Sequence, residues 1–256
     1  MDRPAHTIDA FHRGKFFLAQ PKGTGHRAGM DALMLAATVP SDFSGRLADF
    51  GAGAGAAGLA VASRCAGATI TLVEQSSEMA HFAGLTLALP QNAHLAARAS
   101  LLVADVTLTG ASRQAAGLAD NSFDFVIMNP PFNAARDRQT PDALKQRAHV
   151  MADDLFDHWI RSAAAVLRPK GLLAVIARPV SLAPLLAALG QRFGGAAIVP
   201  VHPRADAAAI RIILRARRGA RGALSLCPPL VLHEDDGRFT ARAEAINNGE
   251  ASLFGD

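Results

Sequence analysis

The chain has 256 residues, half of them hydrophobic, and its 26 basic and 22 acidic side chains leave a net charge of +4. That composition excludes a disordered or fibrous chain and supplies enough apolar residues for the core of one large α/β domain. Two cysteines, Cys65 and Cys227, lack zinc-ligand spacing and are read as reduced thiols rather than a disulfide framework. The N-terminal stretch carries charge throughout, and no apolar run reaches the roughly 18 residues a membrane span needs. A soluble, cytoplasmic protein is expected.

The first 28 residues read as a partly ordered lead-in anchored by Phe16, Phe17 and Leu18, with a single domain over residues 29–256. Gly29 to Thr38 has helical apolar spacing, with Asp31 in its first turn and Pro40 as its stop. An alternation of strands and helices follows. Arg46–Phe50 is a short strand, Gly55–Arg64 an alanine-rich helix, Thr69–Glu74 a β-branched strand, and Ser77–Leu89 a helix capped at Ser77. Ala99–Asp105 is a third strand and Phe123–Met128 a fourth, with a helical turn expected at Arg113–Leu118 between them. Beyond a polar loop, Asp153 or Asp154 starts a helix that runs to Leu167. Pro169-Lys170-Gly171 then turns the chain into strand Leu172–Ala177. A helix Ser181–Leu189 and strands Ala196–Val201 and Ala207–Leu214 come next, with a further strand and a terminal helix within 223–247. Such alternation predicts a Rossmann-like, seven-stranded, mostly parallel sheet with helices on both faces and one antiparallel strand near an edge.

In open sheets of this kind ligands sit at the carboxyl ends of the strands. Three unusual features fall there. The first is Asp49-Phe50-Gly51-Ala52-Gly53-Ala54-Gly55, an acidic residue before three alternating glycines at a strand-to-helix turn, which lets a ligand approach bare backbone. The second is Glu74, a carboxylate able to accept from ribose hydroxyls. Gly53-Ala-Gly55-Ala-Ala-Gly58 with Glu74 also matches the dinucleotide pattern, so an NAD-dependent dehydrogenase stays open. Asp49, however, suits a ligand with an ammonium group, as in S-adenosylmethionine, better than a pyrophosphate. Asp105 could accept from an adenine amine or simply cap a loop.

The third feature is Asn129-Pro130-Pro131-Phe132. Paired prolines stop the strand and stiffen a turn that presents one amide, carbonyl groups and one flat ring. That suits a planar nitrogen group, although Asn-Pro also commonly begins turns. Six arginines lie between Arg204 and Arg221, and Arg136, Arg138, Lys145 and Arg147 follow the turn. They are read as a basic rim for RNA phosphates or as a solvated strand edge. The histidines have no ligand spacing, so no metal is assigned, and Trp159 is read as core.

Together the glycine turn, Glu74, Asp105 and Asn129-Pro130-Pro131-Phe132 resemble the motif series of class I S-adenosylmethionine-dependent methyltransferases acting on planar nitrogens. Gly25-His26-Arg27-Ala28-Gly29-Met30-Asp31-Ala32-Leu33-Met34-Leu35, and Pro229-Leu230-Val231-Leu232-His233 with Phe239-Thr240, are similar to bacterial valine-tRNA adenine-N6 methyltransferases. The resemblance implies S-adenosyl-L-methionine as cofactor, held by Asp49, Gly51, Gly53, Gly55, Glu74, Asp105, Arg27 and Asp31. It implies catalysis at Asn129, Pro130 and Phe132, and RNA, tRNA foremost, as substrate. Phe132 stands where that subfamily often has tyrosine. The same turn occurs in guanine-N2 rRNA methyltransferases, and protein glutamine amides are a further acceptor. The oligomeric state stays open.

Overall fold

The computed structural model describes residues 5–22, 28–131 and 155–256. Arg27, Phe132, the basic residues 136–147 and the expected caps Asp153 and Asp154 lie outside them. The described part of the lead-in is an antiparallel hairpin, β1 (His6–Phe11) with β2 (Phe16–Pro21). Phe16 and Leu18 are fully buried, as expected of anchors, whereas Phe17 is half-buried. Backbone groups of Phe17 and Ala19 bond to the side chains of Asn92 and Thr86, so the hairpin packs on the helix Ser77–Ala88 and the turn that follows it rather than trailing free.

The main body follows the expected alternation. Its elements are α1 (Met30–Ala36), β3 (Gly45–Phe50), α2 (Ala56–Arg64), β4 (Ala68–Glu74), α3 (Ser77–Ala88), α4 (Ala93–Ala96), β5 (Ala99–Val103), α5 (Gly110–Ala115) and β6 (Phe123–Met128). A helix whose described part spans 155–166 (α6) precedes β7 (Leu167–Ala177), α7 (Leu182–Leu189), β8 (Phe193–His202) and β9 (Arg211–Arg218). Two short strands, β10 (Ser225–Leu226) and β11 (Leu230–Val231), and α8 (Ala241–Asn247) complete the chain.

The sheet runs β10-β8-β9-β7-β6-β3-β4-β5, with β11 also on β8. Its seven long strands are parallel except β9, which runs antiparallel between β7 and β8. Strand order reverses between β3 and β6, and this switch point opens a crevice at their carboxyl ends.

Three local expectations are corrected. The N-cap of α3 is Ser76, whose side chain accepts from the Met79 N–H, one residue ahead of Ser77. Pro169-Lys170-Gly171 does not separate helix from strand. β7 runs straight through it, and the extra residues form an irregularity against β6 with Lys170 left-handed at φ 69. β9 begins at Arg211, four residues beyond the expected start at 207, because residues 203–210 loop back and Ile210 N–H bonds to Val201 O.

Alternation along each strand divides the core into two layers. Phe125 and Ile127 face a layer with Leu33, Met34, Leu59 and Ile246. Val126 and Met128 face another with Phe156, Trp159, Ile160 and Leu185. Among the described residues, no helix is long and apolar enough to cross a membrane.

Candidate active site

The carboxyl ends of β3, β4, β5 and β6 bring most of the expected site residues to one edge of the sheet. After Phe50 the chain bends through Gly51 and Gly55 at φ 70 and 96, conformations in which a side chain would be strained. A Cβ on Gly51 would lie 2.7 Å from Trp159 Cη2, so bare backbone is also required sterically. The turn is fixed by Gly51 and Ala52 N–H bonds to Val73 O, at 2.8 and 3.1 Å. Trp159 is core, as expected, and additionally braces this turn from α6.

The three acidic residues are held by their own surroundings. Asp49 is 2% exposed, and its Oδ2 accepts the Gly58 N–H at 2.8 Å. Burial pushes its pKa up to about 7, against the Gly58 hydrogen bond and with help from the nearby Glu74 charge. Glu74 Oε2 accepts from Gly53 N–H at 2.9 Å, and Oε1 from Ser76 N–H at 2.8 Å. Asp105 Oδ1 accepts from both the backbone N–H and the hydroxyl of Thr107. Each carboxylate thus has one local partner set and a fixed position at the end of its strand.

Asn129 differs. It follows β6 directly, is half-buried, and its Oδ1 is buried with no hydrogen-bond partner among the described residues. Pro130 is buried behind it and Pro131 exposed. A buried amide oxygen without a donor costs about 1–3 kcal/mol, so this atom is suited to a donor arriving from outside.

Asp31, in the first turn of α1, has a partner on β9. Its Oδ2 pairs with Arg211 Nε at 2.9 Å, at the start of β9. The expected basic rim is largely dispersed. Arg215 bonds to Thr38 O and Asp256 and lies over the Phe254 ring. Arg217 donates to Lys170 O and Arg218 to Leu167 O and Asn121, at the opposite end of the sheet from Asn129. Of the six, Arg204 and Arg211 are at the site end. Among the described residues no group of histidine, cysteine or acidic side chains could hold a metal ion.

A doubly wound sheet with this glycine turn at its switch point defines a nucleotide-type methyl-donor fold. Residues 27–202 match the Methyltransferase small domain, and the chain belongs to that family. It is therefore a methyltransferase with S-adenosylmethionine as cofactor, and the dinucleotide reading of Gly53–Gly58 is set aside. A predicted O-methyltransferase from Agrobacterium tumefaciens is 43% identical over 87% of this chain and 98% of its own, with a TM-score of 0.77. The 16S rRNA N2 methyltransferase RsmC from Thermus thermophilus, in complex with S-adenosylmethionine and guanosine, is 20% identical over 84% of this chain, with a TM-score of 0.53. TrmN from Thermus thermophilus is 19% identical over 75% of this chain, with a TM-score of 0.50. This chain spans about half of each of the last two, which share its fold. No protein of curated function matches the chain.

Proposed function

We propose that the chain methylates an exocyclic amine of a base in RNA, with adenine N6 in tRNA as the first target. The observation that carries this reading is the unpartnered, buried Asn129 Oδ1 at the end of β6. An exocyclic amine has two hydrogens and a lone pair delocalised into its ring, which makes it a poor nucleophile. Asn129 Oδ1 and the Pro130 carbonyl accept those hydrogens, favour pyramidal nitrogen and aim the lone pair. The resemblance assigns stacking on the base to Phe132, which lies outside the described residues. Orientation supplies most of the rate, with effective molarities on the order of 10⁵ M available. No strong base is needed before transfer, because the amine becomes acidic only once methylated.

The residues present fit S-adenosylmethionine. Gly51, Gly53 and Gly55 expose backbone to it, Glu74 takes the ribose hydroxyls, Asp105 the adenine amine, and Asp49 lies nearest the ammonium end. When bound, the cofactor supplies an electrophilic methyl group on a sulfonium. The fold relative RsmC, a 16S rRNA N2 methyltransferase in complex with guanosine, agrees with an RNA acceptor. A base reaches such a site only out of any stack, at a cost of about a few kcal/mol that is least in an unpaired loop.

A hydroxyl acceptor is the second reading, favoured by the description of the Agrobacterium relative. A hydroxyl carries one hydrogen and would leave one of the two acceptors at the turn idle. Incubating tRNA and 16S rRNA with enzyme and labelled cofactor, then identifying nucleosides by mass spectrometry, separates these. N6-methyladenosine is expected. N2-methylguanosine would move the target to guanine, a 2′-O-methyl nucleoside would establish the hydroxyl reading, and label in protein alone would reject RNA.

A further inference from the structure

We infer that Trp159 is a positioning residue for the transfer step. Its indole takes the place of the side chain that Gly51 lacks and locks the glycine turn to the strand that carries Asn129. This rests on the reading that the glycine turn holds the methyl donor and that Asn129 faces a base of RNA.

The ring is delivered by helical spacing. Phe156, Trp159, Ile160 and Ala163 form the apolar stripe of α6, and all four are buried in the layer that also holds Phe50 and Met128. Trp159 itself is 4% exposed. The three heavy atoms nearest to a Cβ built on Gly51 are its Cη2, Cζ3 and Cζ2, at 2.7, 3.3 and 3.8 Å. These are consecutive carbons along one edge of the benzene ring. The indole thus occupies the space a side chain at position 51 would need, and in an interior packed this closely neither group shifts without the other.

The register shows what the locked turn stands beside. Phe50 on β3 pairs with Met128 on β6, so Gly51 and Asn129 are the next residues on two neighbouring strands, about 5 Å apart in backbone at the switch point. The Gly51 and Ala52 N–H bonds to Val73 O tie the turn towards β4. The indole holds it from α6, within the layer that backs Phe50 and Met128. One rigid ring therefore bears on the donor turn and on the layer beneath the residue before Asn129. A misplacement of about 1 Å between reacting groups can cost about 10² in rate, so a buried residue can act on the step through position alone.

The chain has one tryptophan and no tyrosine, so its tryptophan emission reports this contact and nothing else. The test combines calorimetry of S-adenosylhomocysteine, tryptophan emission, thermal unfolding and labelled methylation of tRNA and 16S rRNA. It is run on wild type, Trp159→Phe, Gly51→Ala, the double variant and Leu189→Ala. Wild-type emission should change as S-adenosylhomocysteine is added, with a midpoint at the calorimetric Kd. Trp159→Phe should weaken S-adenosylhomocysteine binding about 5–10-fold and, at saturating cofactor, slow methylation about 10-fold. A phenyl ring is smaller and frees space at Gly51, so the double variant should lose about 5-fold less affinity than the product of the single losses. Leu189, the last residue of α7, is buried in the same layer at the opposite end of the sheet. Leu189→Ala should lower the unfolding midpoint and leave S-adenosylhomocysteine affinity within about twofold, as a purely structural loss does.

Silent wild-type emission, or losses that simply multiply in the double variant, overturns the inference; the emission decides even where Trp159→Phe does not fold. Unchanged affinity in Gly51→Ala overturns the reading of the glycine turn and the inference with it. An undiminished rate in Trp159→Phe overturns the link to Asn129. No label in either RNA with wild type overturns the RNA reading and that link, while emission and the double variant still decide the contact with the donor turn.

Discussion

The two halves of the sheet edge are finished differently. On the β3–β4–β5 side each carboxylate is already bonded to neighbouring backbone: Asp49 to Gly58, Glu74 to Gly53 and Ser76, and Asp105 to Thr107. On the β6 side Asn129 Oδ1 is buried and has no partner among the described residues. The first half holds its shape before a ligand arrives, which lowers the reorganisation cost of binding. The second keeps an unsatisfied acceptor, and on the proposed reading its partner is the reacting amine. An unmet hydrogen bond placed there would favour the transition state over uniform binding.

The largest effect should come from breaking the unfinished half. Asn129→Ala is expected to reduce kcat by about 10² or more while S-adenosylhomocysteine affinity stays nearly intact. Equal loss of both would make Asn129 a structural residue. Next comes the finished half. Gly51→Ala adds a Cβ against Trp159 at a left-handed position, and should cost about 1–3 kcal/mol of stability together with cofactor binding. Thermal unfolding with and without S-adenosylhomocysteine checks this.

A third prediction concerns pH. Asp49 has a folded pKa of about 7 against an ordinary 3.8, so between these values the native state holds one proton more than the unfolded state. The stability it contributes is present below pH 4 and is lost as pH rises through 7, at up to about 1.4 kcal/mol per unit. His12 acts in the opposite sense. Burial, with Lys15 and Arg64 nearby, lowers its pKa to about 4, so its contribution is lost as pH falls from 6.5 towards 4. Asp49→Asn should remove only the first slope in urea unfolding measured from pH 4 to 8. The same titration makes binding at an Asp49 carboxylate stronger as pH rises through 7, with proton release measurable by calorimetry in buffers of different ionisation enthalpy. The smallest effect is expected from Arg217→Gln, at the far end of the sheet. It should change KM for RNA less than about twofold.

Much of the fold was legible because its signals are local. The period-2 run Phe123–Met128 is a strand in the structure to the residue, and the glycine turn sits where a strand meets a helix. The errors were also local in kind. Pro169 and Gly171 carry turn chemistry, yet pairing with β6 and β9 draws the chain into β7 and leaves a bulge, since ladder hydrogen bonds on both sides outweigh turn propensity. The strand expected at Ala207–Leu214 is β9, shifted to Arg211–Arg218: Arg-Ile-Ile-Leu-Arg-Ala-Arg-Arg buries its aliphatic residues while its arginine head groups reach carbonyls and acids at the sheet margin.

Of the candidate site, sequence alone determined which polar residues end strands, because a strand's end and the residue after it are adjacent in the chain. From that followed Asp49, Glu74, Asp105 and Asn129 at one edge, and the resemblance their motifs carry implied the methyltransferase class. Only tertiary structure decided the fate of the basic residues. β9 runs antiparallel, so a continuous arginine-rich stretch is carried from the site end at Arg211 to the opposite end at Arg218, and an ion pair ties Asp31 of α1 to Arg211. Strand direction and cross-strand register set those distances, and neither is written in the spacing of residues along the chain.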